Sequence, residues 1–145
     1  MGQRDPLEPL RRMRRMAVDQ ARMDLADSLR AEEHAAAGLS GIEDEIRRET
    51  EIACGLDGSD AVVEQFARWL RGARGRETDA TLARDAAEQA TAHARRVLGA
   101  ARAAERAVEV MQERQAAERD AAAGKAEQAV LDEAGQEARR RRLGG

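Results

Sequence analysis

Residues 55–60 read GLDGSD, the clearest interruption in a chain that is otherwise helical in pattern. Two glycines with an aspartate and a serine make a turn, and Ser59 is placed to cap a following helix with Asp60 at its positive end. Upstream, Val18, Leu25, Leu39, Ile46 and Ala53 fall on one strict seven-residue repeat, broken only by Glu32. Leu29, Ala36 and Ile42 supply the alternate position that a coiled-coil seam requires. Pro9 suits the first turn of that helix, with Glu8 or Asp5 just outside its start.

Downstream lies a second, weaker interruption, RGARGRETD (Arg71 to Asp79), in which Gly72 and Gly75 precede Thr78 as another cap. Beyond it Ala90, Ala94, Val97, Ala101, Ala104, Val108 and Met111 alternate four and three, again a seam, though its small residues bury little per turn. The expected organisation is a single coiled-coil rod over residues 1–145. It comprises a helix over about 9–54, a turn at 55–60, a short helix over about 60–72 and a third helix over about 78–141. The expected fold class is all-α: a long antiparallel two-helix coiled-coil hairpin with a short helix near its tip and an overhanging C-terminal helix end. Gly38 and Gly41 in AAAGLSG allow a second arrangement, a kink or the turn of a three-helix bundle.

Composition points the same way. Of the 145 residues 32 are alanine, 37% are charged and only 1% aromatic, too few large side chains to fill a globular interior. Alanine-rich stretches punctuated by Leu, Val and Met are equally unlike a disordered chain. One cysteine, Cys54, excludes a disulfide framework and suggests a reducing compartment. No apolar run approaches a membrane span, and MGQRDPLEPL lacks the apolar region of a signal peptide, so a cytoplasmic protein is expected. Residues 1–15 carry five Arg against Asp5 and Glu8, and residues 137–145 carry four Arg against Glu137. The ends together hold +6, which leaves −9 between them out of a net −3. Basic ends on an acidic middle suggest different partners for each.

No catalytic constellation emerges. His34 and His93 have no partner at metal-ligand spacing, Cys54 has no triad-like context, and DGSD lacks calcium-loop spacing. No glycine cluster leads to a phosphate-binding Lys, so neither enzyme activity nor a cofactor is expected. Arg139, Arg140, Arg141 and Arg142 invite a nucleic-acid reading through counterion release. The acidic remainder and the lack of any stacking platform near the ends favour a solvated helix terminus or a protein contact instead.

EQFARWLRG (Glu64 to Gly72) holds the only Phe and the only Trp, and there is no Tyr. Val62, Phe66, Trp69, Leu70 and Ala73 form one apolar stripe at helical spacing. It either packs on the hairpin tip or meets a partner, as exposed aromatics do.

Three stretches resemble the FliJ-type flagellar export proteins. PLEPLRRMRRMAVDQARMDLADSLRAEE (Pro6 to Glu33) is similar to the family's basic, Leu-rich opening and its acidic-and-Ala helix. MQERQAAERDAAAGKAEQAVLDEAGQEARRRR (Met111 to Arg142) resembles its C-terminal pattern, and QFARWLRGA (Gln65 to Ala73) its Gln-Phe-x-x-x-Leu-x-x-Ala stretch. The resemblance implies a non-enzymatic, central-stalk-like coiled coil of the type III export apparatus. Such a protein binds and activates the hexameric export ATPase, links it to the cytoplasmic domain of the FlhA-like export gate, and in some members escorts export chaperones. It also implies a place at the cytoplasmic face of the inner membrane at the flagellar base, peripheral to the membrane through partners only. Carried over, the resemblance implies gate contact through Phe66, Leu70 and Ala73, with Gln65 beside them and Trp69 in the same stretch. Arg11, Arg12, Arg14, Arg15 and Arg139 to Arg142 are the candidates for the ATPase ring, assigned by end and charge. The alternatives are a basic-ended nucleic-acid or nucleoid binder, and a generic coiled-coil scaffold.

Overall fold

The first helix is set by a short local device. In the computed structural model, which describes residues 4–56 and 58–145, Asp5 Oδ1 accepts a hydrogen bond from the Leu7 backbone N–H at 2.9 Å. Its carbonyl accepts from Glu8 N–H at 3.2 Å, so the donors ahead of Pro9 are satisfied before the helix starts. Helix α1 then runs Glu8–Gly55 and helix α2 runs Asp60–Leu143, with no strand among the described residues. At the turn the Ser59 carbonyl accepts from Val62 and Val63, with Asp60 in the first turn of α2. Asp57, within the expected turn, lies outside the described residues, as do Met1 to Gln3. The protein is all-α, a helical hairpin.

One expectation is corrected. There is no break between residues 72 and 78: α2 passes through Gly72, Gly75 and Thr78 without interruption, so no separate short helix exists. Thr78 does not cap; its hydroxyl donates back to the Arg74 carbonyl at 3.0 Å, a bond available only inside a helix. Ala73, between the two glycines, is 1% exposed. Its burial and the cross-helix pair of Arg76 with Glu45 at 3.4 Å hold the backbone helical where propensity alone is weak. Gly38 and Gly41 are likewise inside α1, so the three-helix arrangement is also excluded.

The contacts group into two units, residues 16–101 and residues 1–15 with 102–145. In the first, Val18, Ala21 and Leu98 form a small core joined by Leu25 and Ala101, while Ala73, Leu39, Ile46, Thr91 and Ala94 are also buried. Val18 packing with Leu98, and Glu45 pairing with Arg76 nearer the turn, make the two helices antiparallel.

The heptad backbone of α1 is as expected at Val18, Leu39 and Ile46, but the alternate positions are partly different. Leu29 is 42% exposed and Ala36 exposed, whereas Ala21 is buried and Ser28 and Ala35 are partly so. On α2 the correction is sharper: Ala94 is buried, but Ala90 and Val97 face out and Thr91 and Leu98 take their places. Thr91 fits a seam position because its hydroxyl donates to the Ala87 carbonyl at 3.1 Å, leaving only its methyl to pack.

In the second unit Val108 is buried and Met111 is 46% exposed. Polar residues take packed positions there because each finds a partner on α1 or in the segment just ahead of it. Glu105 meets Arg15 at 3.9 Å, and Gln112 Nε2 donates to Asp5 Oδ2 at 2.7 Å. Residues 116–145 are all exposed.

Glu32 stays in the α1 seam, partly buried, and its Oε2 is buried without a hydrogen-bond partner among the described residues. An orphaned acceptor of this kind costs about 1–3 kcal/mol. Glu32→Leu is therefore expected to raise the unfolding free energy by roughly that amount. Urea unfolding followed by helical circular dichroism checks it; an unchanged or lower midpoint contradicts the packing described.

Candidate functional site

The aromatic stripe divides when it is folded. Phe66 and Trp69 stack with ring centroids 5.9 Å apart and planes at 26°. They open onto a cleft of about 260 Å³ beside the hairpin turn. Val62 and Gln65 join them from α2, and Glu49, Ile52, Ala53 and Leu56 complete the walls from the end of α1. Leu70 is partly buried on the next turn, and Ala73 turns fully into the seam. Of the five residues expected at a gate contact, Gln65, Phe66 and Trp69 are thus brought together on one open surface. Ala73 is not offered to a partner in this conformation.

Ile52 and Leu56 complete the surface and were not expected. They are 57% and 56% exposed, apolar residues in a last helical turn and a loop where polar ones are usual. That mismatch is the signal that would have found them. Exposed aliphatic walls around a half-buried aromatic pair form an adhesive patch, since burying them against a partner returns roughly 25 cal/mol per Å².

The arginines are arranged differently. Arg11 is half-buried, and Arg12, Arg14 and Arg15 are exposed. Arg12 approaches Glu8 at 3.7 Å and Arg15 reaches Glu105. Arg139 to Arg142 are exposed in the last turns of α2, where they complement the helix dipole; among the described residues Arg141 alone of the four has an acid nearby, Glu137 at 3.8 Å. The two sets are not brought together. Asp5 lies beside Gln112, and α2 runs on from there to Leu143, roughly 45 Å of helix. Neighbouring Arg106 is held more firmly protonated than an ordinary arginine by its hydrogen bond to Glu109 and the charge of Glu113. In the other unit Arg84 is shifted the same way by its hydrogen bond to Asp85 and the charges of Asp85, Glu88 and Glu43. Both are structural ion-pair groups, Arg106 exposed and Arg84 partly buried.

Among the described residues no His, Cys, Asp and Glu cluster is arranged to hold a metal, and no helix is long and apolar enough to cross a membrane. Cys54 is exposed and free. No match is found among curated proteins or among solved structures. The family model described as "Flagellar FliJ protein" matches residues 3–144, nearly the entire chain. The chain, a helical hairpin bearing an exposed aromatic cleft and Arg-rich ends, therefore belongs to the FliJ family of flagellar export components.

Proposed function

We propose that this protein is a central-stalk-like coiled coil that binds and activates the hexameric export ATPase and links it to the cytoplasmic domain of an FlhA-like export gate. The observation that carries the reading is the family match over residues 3–144. The distribution of contact chemistry supports it: the aromatic cleft lies in the unit of residues 16–101, and both Arg sets lie in the other unit. Gln65, Phe66, Trp69 and Leu70 serve the gate, with Ala73 supporting them from within the seam. Arg11, Arg12, Arg14, Arg15 and Arg139 to Arg142 serve the ATPase ring.

Two helices of unlike sequence inside a ring present a different face to each subunit. They favour different subunit conformations in turn without performing chemistry. Exposed arginines speed capture by an acidic ring surface more than they tighten the final complex. The protein then works at the cytoplasmic face of the inner membrane at the flagellar base, held there by its partners, and export chaperones are further partners.

The test is ATP hydrolysis by the cognate export ATPase, titrated with this protein near the ATPase's assembly threshold. The expected result is a rise in rate that tracks hexamer formation. A flat response from a competent ATPase would remove the stalk role.

A further inference from the structure

We infer that the cleft beside the hairpin turn docks an apolar anchor flanked by Arg or Lys on a partner protein, so that the partner's contact surface is basic. This rests on the reading of the cleft as a partner contact, and deepens it by naming the partner's chemistry.

The charge pattern carries the inference. From Glu49 to Ala67 the chain has five acids, Glu49, Glu51, Asp57, Asp60 and Glu64, and no Lys, Arg or His, in a chain with 25 Lys and Arg. Glu49, Glu51, Asp60 and Glu64 are all exposed. Elsewhere on these helices acids are commonly paired, as Asp44 is with Arg47, Glu77 with Arg74 and Glu88 with Arg84. Among the described residues none of the four enters an ion pair.

Uncompensated like charges around an apolar surface repel one another and repel acidic partners. They draw in a basic surface before any apolar contact forms. The walls are mostly apolar, with Ile52, Ala53, Leu56, Val62, Phe66 and Trp69 beside the polar Gln65 and the acid Glu49, and at about 260 Å³ the cleft is below the range usual for small-molecule sites. It suits one or two aliphatic side chains inserted from a partner. A guanidinium beside the anchor would also gain from the faces of Phe66 and Trp69. The same acids turn away anionic lipid and nucleic acid.

Trp69 is the only tryptophan and sits in the wall, so the full-length protein reports its own occupancy. The probes are two synthetic helical peptides sharing a Leu-x-x-Leu anchor, one flanked by Arg and the other by Glu at the same positions. Trp69 emission is titrated with each. The Arg-flanked peptide is expected to bind at least about tenfold tighter at low ionic strength. That preference should shrink severalfold towards 0.3 M salt, where the screening length falls well below 10 Å. Glu49→Gln with Glu51→Gln and Glu64→Gln should abolish the preference, and Ile52→Ser should weaken both peptides; all four sites are exposed, and circular dichroism verifies the fold.

Equal binding of the two peptides, no saturable response at Trp69, or a preference that survives the triple Gln variant would overturn the inference. So would sedimentation showing self-association lost in the triple variant, because the occupant would then be a second copy. The isolated gate domain is titrated separately. Peptide preference without gate binding removes the gate reading and leaves the dock standing. Gate binding indifferent to the three acids does the reverse.

Discussion

Replacing Gly38, Gly41, Gly72, Gly75 and Gly99 together by alanine is expected to raise the unfolding free energy by about 4 kcal/mol, taking nearly 1 kcal/mol for each site. All five lie inside helices, no glycine among the described residues has positive φ, and an added Cβ at each would meet nothing within 4 Å. The gain is therefore backbone entropy and propensity with no packing penalty. It should appear as a rise in melting temperature of more than about 10 °C over a wild type that melts below roughly 70 °C. The pairs 38/41 and 72/75 are close enough to couple, so single variants set the scale for the combination. The measurement also tests the continuity of α2. If Gly72 and Gly75 ended a helix, alanine at those two sites would be neutral or harmful while the other three stabilised.

The second large effect concerns binding. Ile52→Ala with Phe66→Ala and Trp69→Ala is expected to weaken association with the gate's cytoplasmic domain by at least about a hundredfold, since central aromatic contacts are each worth 2 kcal/mol or more at an interface. ATPase stimulation should be retained. Conversely, Arg14→Ala with Arg139, Arg140, Arg141 and Arg142 changed to Ala should lower ATPase stimulation and leave gate affinity within about twofold, because exposed charges act mainly on capture. Titration calorimetry against the gate domain and the ATPase assay read the two arms. Loss of both activities to the same degree in either variant would show that the two contacts are not separate. Ala73→Leu provides a contrast: at 1% exposure the site has no room, so stability should fall before binding specifically does.

GLDGSD was legible as the turn because glycine, aspartate and serine act locally on the backbone and need no tertiary partner. Val18, Leu39 and Ile46 were legible because branched aliphatics at heptad spacing on a charged helix have one plausible use. The Arg clusters, the acid-only stretch around the turn and the lone aromatic pair are likewise properties of the sequence.

The rest depended on what the partner helix presents. A heptad position such as Ala94 can be completed on either side, by Ala90 and Val97 or by Thr91 and Leu98, and the apolar count favoured the first pair. Packing chose Thr91 and Leu98, because a threonine whose hydroxyl bonds its own helix buries no unpaired polar group and Leu98 packs against Val18 and Ala21. Glycines at 72 and 75 read as a break by propensity, yet the burial of Ala73 outweighs about 2 kcal/mol of propensity cost. Ile52 and Leu56 reach Phe66 and Trp69 only because the turn folds α1 back beside α2. Helices, turn, charge layout and family were thus determined by the sequence alone, since each arises from local chemistry. Which face packs, whether α2 breaks and what completes the cleft were decided by tertiary structure, since burial is a property of two helices at once.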